Sequence, residues 1–261
     1  MRVHVAIAGL ARSIDICLET VEKKLVQPLR VSPGLKISSS LSLSYSHLPL
    51  NNARTGEAGP PALTNGALEF PNRSFYRLED IRREMSPLYS RARKAGEWLN
   101  GSGRNLRNYL EFLSLLNRAR GSVVSEGADI VIFIRPDVLV LDRLIPIPGL
   151  TLSRKAVLTP RWGKFYGLND RMAVIPGQFV DQYFSRVTSV EEFIEKNGPL
   201  DPEKHLAWSL REVPSRSSLS TELVRVRAGG TLAEKDLERL ETSGPYRRAQ
   251  ARKLRQTYPA R

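Results

Sequence analysis

Cysteine and histidine are scarce in this sequence of 261 residues. The one cysteine, Cys17, has no partner for an intrachain disulfide, which excludes a disulfide framework. The 3 histidines are scattered and form no set with Cys17 at the spacing of zinc ligands, which argues against structural zinc.

Long apolar runs are also absent. No segment approaches the roughly 18 to 20 apolar residues that cross a bilayer. The apolar block of MRVHVAIAGLARS is too short for a secretion signal and is followed by Arg12 and Asp15. We therefore expect a cytoplasmic protein. An apolar content of 41% suffices for a buried core, and the simplest division is one domain over residues 1 to 242 and a basic tail over residues 243 to 261.

Acidic residues are fewer than basic ones, 27 against 40, which gives a net charge of +13. The sequence has no zinc finger, no RNP-like aromatic strand and no helix-turn-helix, so no nucleic-acid partner is expected. The tail is read either as a solvated, frayed end or as a surface for an anionic membrane, which would place the protein at the inner membrane face. It contains no acid and six basic residues: Arg247, Arg248, Arg252, Lys253, Arg255 and Arg261.

Strand and helix patterns alternate along the first half of the chain. Residues 3 to 8, apolar apart from His4, form a run typical of a strand, and the apolar spacing from Ile14 predicts a helix that ends at Pro28. Alternating apolar residues from Leu35 to Tyr45 predict a second strand. Four prolines and three glycines predict a long mobile loop from Pro49 to Pro71.

Helical spacing returns over residues 78 to 98 and over 105 to 120, and the second of these helices is apolar on more than one face. The run at residues 130 to 134 has no alternation, which is typical of a strand covered on both faces. This order predicts an α/β protein with a mostly parallel, Rossmann-like sheet flanked by helices.

Polar clusters follow two of the predicted strands, at Gly9 to Ser13 and at Arg135 to Asp137. Ligands of open α/β sheets bind beyond the carboxyl ends of the strands, so both clusters are candidate site residues. An unpaired carboxylate among apolar neighbours would cost several kcal/mol. Asp137 should therefore lie at the surface, face Arg135, or meet a cation or a sugar.

At this point the residues resemble a family. The run IFIRPDVLVLDRL, preceded by NLRNYLEFLSLLNRA and followed by TPRWGKFYGLNDRMAVIPG and DPEKHLAWSLRE, resembles the small GT-A-fold glycosyltransferases of bacterial and viral polysaccharide assembly. The resemblance implies a nucleotide-sugar donor carrying UDP, GDP or dTDP and a glycan or lipid-linked acceptor. It also implies that Asp137 binds the donor diphosphate through a divalent metal, Mn²⁺ or Mg²⁺.

The motif departs from the family pattern, because Arg135 and Asp137 stand where a DxD motif has two carboxylates. Two alternatives remain open. Asp137 and the diphosphate together could hold the metal, since Mg²⁺ and Mn²⁺ accept carboxylate and phosphate oxygens. Alternatively, Arg135 clamps the diphosphate directly and the metal is dispensable.

By the same resemblance, Gly9, Arg12 and Ser13 line the nucleotide part of the donor. The alternative is a tight turn in which Ser13 caps the next helix. The letters GLARS also match the start of a phosphosulfate-binding loop, so a sulfotransferase is a rival hypothesis. A third possibility is a non-catalytic module that binds polyanions.

The segment PRWGKFYGLNDRM combines the flat apolar faces of Trp162, Phe165 and Tyr166 with groups that hydrogen-bond to sugars and phosphate. Trp162, Asn169 and Arg171 are candidate donor-binding residues, with a structural turn as the alternative. The resemblance implies that Asp170 lies beside the donor sugar.

An inverting transfer needs a side chain that takes the proton of the acceptor hydroxyl. The candidates are Asp170 and Glu203, with His205 third. For Glu203 the alternative is an acid at a helix start after Pro202, and for His205 it is a packed residue.

Overall fold

The computed structural model describes residues 1–48, 63–96, 103–142, 155–164, 166–227 and 230–258. Within these residues, seven strands form one sheet, and two short ones pair separately. The strands are β1 Arg2–Leu10, β2 Lys36–Tyr45, β3 Arg73–Arg77, β4 Ile130–Ile134, β5 Val138–Val140, β6 Val157–Pro160, β7 Met172–Pro176, β8 Ser215–Leu219 and β9 Leu223–Arg225.

Helices connect most of these strands. They are α1 Ile14–Val21, α2 Gln27–Arg30, α3 Asn65–Leu68, α4 Leu78–Lys94, α5 Arg104–Ser125, α6 Val180–Phe184, α7 Val190–Asn197, α8 Pro202–Ser209, α9 Glu234–Thr242 and α10 Pro245–Thr257. A π-helical turn, Glu22–Val26, joins α1 to α2, and short 3-10 turns, Gly177–Phe179 and Arg186–Ser189, precede α6 and α7.

The large sheet has the order β3-β2-β1-β4-β7-β6-β8. The first four of these strands are parallel, β7 is antiparallel to both of its neighbours, and β8 is parallel to β6. The predicted class, a mixed and mostly parallel α/β sheet flanked by helices, is therefore confirmed.

Strand β1 explains how the helices pack. Its residues alternate in size, so that Val5 and Ile7 face the cluster that contains α1 and its neighbours, while Ala6 and Ala8 face α5. The small side chains on the second face let α5 approach closely, and the strand is buried on both sides. This central position makes the ends of β1 and β4 the natural place for a site.

Several boundaries differ from the predicted ones. The first helix continues past Pro28 to Arg30, because Pro28 occupies the first turn of α2, where no backbone N–H is required. Residues 49 to 62 of the predicted loop lie outside the described residues, and the part after them contains α3, capped by Thr64. None of the described helices has the length and apolar character needed to span a membrane.

The expectation of a solvated or frayed tail is wrong for residues 245 to 258. Helix α10 packs on α9, and Ala251 is fully buried in a cluster with Val224 and Leu237. Its cations find acids on the body, since Arg247 pairs with Asp142 at 2.6 Å. Residues 245 to 258 are therefore docked by apolar contact and by ion pairs.

Candidate functional site

The site lies where β1 and β4 end side by side. These strands are parallel neighbours, and the chain leaves them in opposite directions, towards β2 and β3 on one side and towards β7 on the other. Such a reversal opens a crevice beyond the carboxyl ends, where open α/β sheets bind ligands. The two polar clusters predicted from the sequence meet there.

Gly9 allows the two strand ends to approach. A Cβ atom at this position would lie 2.5 Å from Cδ and 2.9 Å from Cγ of Pro136. The glycine predicted to admit a nucleotide is thus in contact with the second cluster. Its absent side chain leaves room for Pro136, which brings Arg12 and Asp137 within reach of one another.

Replacing Gly9 by alanine is expected to lower the free energy of unfolding by about 1 to 3 kcal/mol, because a methyl group would displace Pro136. Gly121→Ala is the matched control. Gly121 lies inside helix α5 with nothing within 4 Å of an added Cβ, so this change should stabilise by up to about 1 kcal/mol. Urea denaturation of both variants measures the difference, and equal effects would contradict the close packing.

Asp137 is 3% exposed and accepts hydrogen bonds from two arginines. Nη2 and Nε of Arg12 lie 2.7 and 3.2 Å from its Oδ2. Nη2 of Arg135 lies 2.8 Å from the same oxygen, and Nε of Arg135 lies 2.9 Å from Oδ1. Burial opposes the charge, but the two guanidinium groups outweigh it and hold the pKa of Asp137 well below its usual range.

This arrangement does not fit a divalent cation at Asp137. Both carboxylate oxygens already accept from guanidinium groups, and two positive charges surround one negative charge. Within the described residues, no group of three or more His, Cys, Asp or Glu side chains comes together at the spacing of a metal site. Two arginines held side by side suit an anion instead, as in the second alternative drawn from the sequence.

Asp170 and Glu203 stand beside this arginine pair. Nη1 of Arg135 lies 3.3 Å from Oδ2 of Asp170. Burial and the negative charges of Asp170 and Asp201 raise the pKa of Glu203 to about 8. Glu203 does open a helix, as predicted, but these effects outweigh the helix dipole, which favours the charged form. The site therefore holds a carboxyl group that stays largely protonated at neutral pH.

Trp162, Asn169 and Arg171 make internal contacts that fit the structural-turn alternative. Asn169 donates from Nδ2 to the carbonyl oxygen of Trp162 at 2.8 Å and accepts at Oδ1 from the Arg171 N–H at 2.9 Å. Arg171 pairs with Asp236 at 2.9 Å, and the guanidinium carbon atoms of Arg171 and Arg239 lie 5.0 and 3.8 Å from the centroid of the Trp162 ring. These contacts brace the chain on either side of Asp170. Donor binding by the three residues stays a prediction.

The turn after β1 forms as predicted, but it forms no nest of backbone donors from Ala11 and Arg12. Their N–H groups donate to the carbonyl oxygens of Ser44 and Leu10. Ser13 adopts a left-handed conformation with φ of 52°, and its hydroxyl donates to the carbonyl oxygen of Arg227 rather than capping α1. The side-chain cap expected from Ser13 is therefore absent, and the phosphosulfate-loop hypothesis gains no support here.

His205 is a packed residue, as the alternative expected. It is fully buried, with Nδ1 2.9 Å from the Tyr109 hydroxyl and Nε2 3.0 Å from the Ser189 hydroxyl. Burial, with a smaller effect of the nearby Arg186, lowers the pKa of His205 to about 3, so the ring is neutral at pH 7. Its role is to hold α8 in place.

The sequence reasoning missed Arg186. This side chain is 2% exposed, donates to the Tyr183 carbonyl oxygen at 2.8 Å and lies 4.4 Å from the centroid of the Tyr183 ring. No pattern in the sequence distinguishes a buried arginine of this kind from a surface one. Phe165, part of the aromatic set expected at the site, lies outside the described residues.

No family model and no curated protein matches the sequence. Among solved structures, the chain is similar to the crystal structure of mouse xyloside xylosyltransferase 1 in its apo form. The two are 10% identical, with a TM-score of 0.39, over 84% of this chain and 85% of that chain.

Proposed function

We propose that this protein transfers a sugar from a nucleotide-sugar donor to a glycan acceptor. The observation that carries the proposal is the pair of guanidinium groups, Arg12 and Arg135, held by Asp137 at the switch point of the sheet. Two carboxyl groups, Asp170 and Glu203, stand beside this pair. The arrangement combines a place for a diphosphate with groups that act on a hydroxyl.

Arg12 and Arg135 balance the charge of the departing nucleoside diphosphate. Guanidinium groups bind phosphate oxygens in two-point contacts and remain charged at any physiological pH. Because Asp137 fixes both, their positive charge is oriented before the donor arrives, which favours a transition state that develops negative charge on the leaving group. On this proposal the arginines perform the role that the family resemblance implies for Mn²⁺ or Mg²⁺.

Glu203 takes the proton from the acceptor hydroxyl. A general base is most effective when its pKa lies near the working pH, and Glu203, with a pKa of about 8, meets that condition. Asp170 has two roles in the proposal. Its contact with Arg135 supports a position beside the sugar of the donor, and its negative charge keeps the pKa of Glu203 high.

We place the acceptor among surface polysaccharides or related glycans, free or lipid-linked, which rests on the sequence resemblance. Helix α10 keeps Arg248, Arg252 and Lys253 exposed on the outer side of the body. The peripheral contact with an anionic membrane through these residues, and with it the location at the inner membrane face, stays a prediction.

The proposal predicts that UDP, GDP or dTDP raises the melting temperature of the protein in EDTA. A ligand at 100 times its Kd stabilises by about 2.7 kcal/mol. In a chain of this size this corresponds to a shift of roughly 5 to 10 °C. Differential scanning fluorimetry measures the shift, and Arg135→Ala should abolish it. Arg120→Ala, which removes an exposed partner of Asp181, is the control and should keep it.

Each rival hypothesis predicts a different result in the same assay. A shift that requires Mn²⁺ would favour the metal-bound alternative at Asp137. A larger shift with adenosine 3′,5′-bisphosphate than with any nucleoside diphosphate would favour a sulfotransferase. Steeply salt-dependent binding to heparin or DNA without any nucleotide response would favour a polyanion-binding module.

A further inference from the structure

A second concave surface adjoins the candidate site. It is a groove of about 500 Å³ between the end of α7, the outer face of α8 and the turn at Tyr166. This volume lies in the range of small-molecule pockets. The groove is lined mainly by rings and by two polar side chains: Tyr166, Phe193, Trp208, Asn197 and Lys204.

Tyr166, at the edge of this groove, combines an unusual backbone conformation with a highly exposed ring. Its backbone has φ of 70°, a left-handed conformation that is costly for a residue with a bulky side chain, and its side chain is 92% exposed. The residues that follow Tyr166 are held tightly against α8. The Leu168 N–H donates to the Glu203 carbonyl oxygen at 3.0 Å, and a Cβ atom on Gly167 would clash with the same carbonyl group, so the backbone at Tyr166 has to turn locally. A strained aromatic residue whose ring lies in solvent contributes little to the packing of the fold, which points to a role in binding.

The other side of the groove is rigid. The ring of Trp208 is fixed by the guanidinium group of Arg211, 3.8 Å from its centroid, and by an edge contact with Phe193 at 5.7 Å. Asn197 and Lys204 add hydrogen-bonding groups, and Nζ of Lys204 lies 5.8 Å from the centroid of the Tyr166 ring. Fixed aromatic faces with a few polar groups match a sugar ring, which has apolar C–H faces and a rim of hydroxyls.

The groove shares helix α8 with the proposed base, Glu203. Lys204 directly follows Glu203 in α8, and Ala207, which lines the groove, lies one turn further along the same helix face as Glu203. Tyr166 precedes Asp170 by four residues in the segment that docks on α8. An occupant of the groove would therefore lie on the helix that carries Glu203 and against the segment that carries Asp170.

We infer that this groove is the acceptor subsite and binds a pyranose ring of the acceptor glycan by stacking on Tyr166. The inference rests on the proposed glycosyl transfer. It assigns the substrate class that the groove accepts, a neutral or charged oligosaccharide, and the residue on which binding mainly depends.

Saturation-transfer NMR with tetrasaccharides of the cello, malto, xylo and chito series tests the inference. We expect at least one series to receive saturation from the aromatic protons of the protein, with binding weakened at least tenfold in Tyr166→Asn. Asparagine tolerates the left-handed conformation, so the variant removes the ring without adding strain. Tyr166→Phe should retain binding. Tyr246→Asn, which removes another exposed ring outside the groove, should have no effect.

Parallel measurement of the UDP, GDP and dTDP melting shifts separates the two proposals. Nucleotide binding without binding of any tetrasaccharide, or equal tetrasaccharide binding by the protein and Tyr166→Asn, would overturn the acceptor subsite and leave the proposed function standing. Ring-dependent tetrasaccharide binding without any nucleotide response would support the groove as a sugar site and contradict glycosyl transfer.

Discussion

Replacing Asp137 by asparagine is expected to lower the free energy of unfolding by about 3 to 5 kcal/mol at pH 7. The change removes the negative charge between Arg12 and Arg135, whose side chains are only 14% and 21% exposed. Two guanidinium groups would then lie side by side in the cleft with no charge between them. Urea denaturation measures the loss.

The loss should also depend on pH in a defined direction. The pKa of Asp137 is depressed in the folded protein, so its stabilising contribution is complete above the ordinary pKa of 3.8 and declines as the pH falls towards the folded value. The difference between the protein and Asp137→Asn should therefore shrink by about 1 kcal/mol between pH 7 and pH 3.

Glu19→Gln provides the matched control for this prediction. Its carboxylate pairs with Lys23 on the exposed face of α1, where solvent screens the attraction, so the loss of stability should be small. A loss in Asp137→Asn as small as that of the control would mean that the arginines do not depend on Asp137. The proposal that Asp137 orients the two arginines for the diphosphate would then be wrong.

The strands that position the site were predictable because their signal is local. The run at 130 to 134 lacks polar residues and that at 3 to 8 contains only His4, a pattern typical of strands covered on both faces. The parallel arrangement followed from the alternation of strands and helices. It placed Arg12 and Asp137 at one edge of the sheet although 125 positions separate them.

The contacts within the site were not predictable, because they depend on residues with no signal of their own. Nothing in the sequence marks Asp236 as the ion-pair partner of Arg171, or Arg239 as the cation that stacks on the ring of Trp162. A lone sequence lists the donors and acceptors but not which of them pair. Candidate ligand contacts and structural braces therefore look the same until the fold brings their partners together.

The tail illustrates the same limit for charge. A run of cations without acids resembles a solvated end, yet the acids that pair with Arg255 lie in the preceding helix, at Glu234 and Glu241. The one local indication was the spacing of Ala251 and Leu254, which places both on the inner face of α10. Two apolar residues form too weak a pattern to predict a docked helix when six cations indicate a solvated end.

Glu203→Gln is expected to lower kcat/KM about 10²- to 10⁴-fold, the contribution of a positioned general base. Glutamine keeps the size and the place of the side chain at the start of α8 but cannot accept the proton of the acceptor hydroxyl. Release of nucleoside diphosphate in the presence of donor and acceptor measures the effect. Glu212→Gln, at a carboxylate whose side chain is 79% exposed, should leave the rate unchanged.

The pH profile makes this prediction specific to Glu203. Its pKa is about 8, so the deprotonated fraction, and with it kcat/KM, should rise about tenfold per unit below pH 8 and level off above it. Because Asp170 helps to raise that pKa, Asp170→Asn should move the rising limb to lower pH while it lowers the plateau.

The pH dependence of stability that arises from Glu203 should have the opposite sign to that expected for Asp137. A raised pKa means that the folded state disfavours the charged form of Glu203. The contribution of Glu203 to the free energy of unfolding is therefore complete below pH 4.5 and is lost as the pH rises through about 8. Glu203→Gln, which never ionises, should therefore gain stability relative to the protein between these values and keep the gain above them. A profile without an ionisation near pH 8, together with an unchanged stability difference, would remove Glu203 from the role of base and leave Asp170 as the candidate.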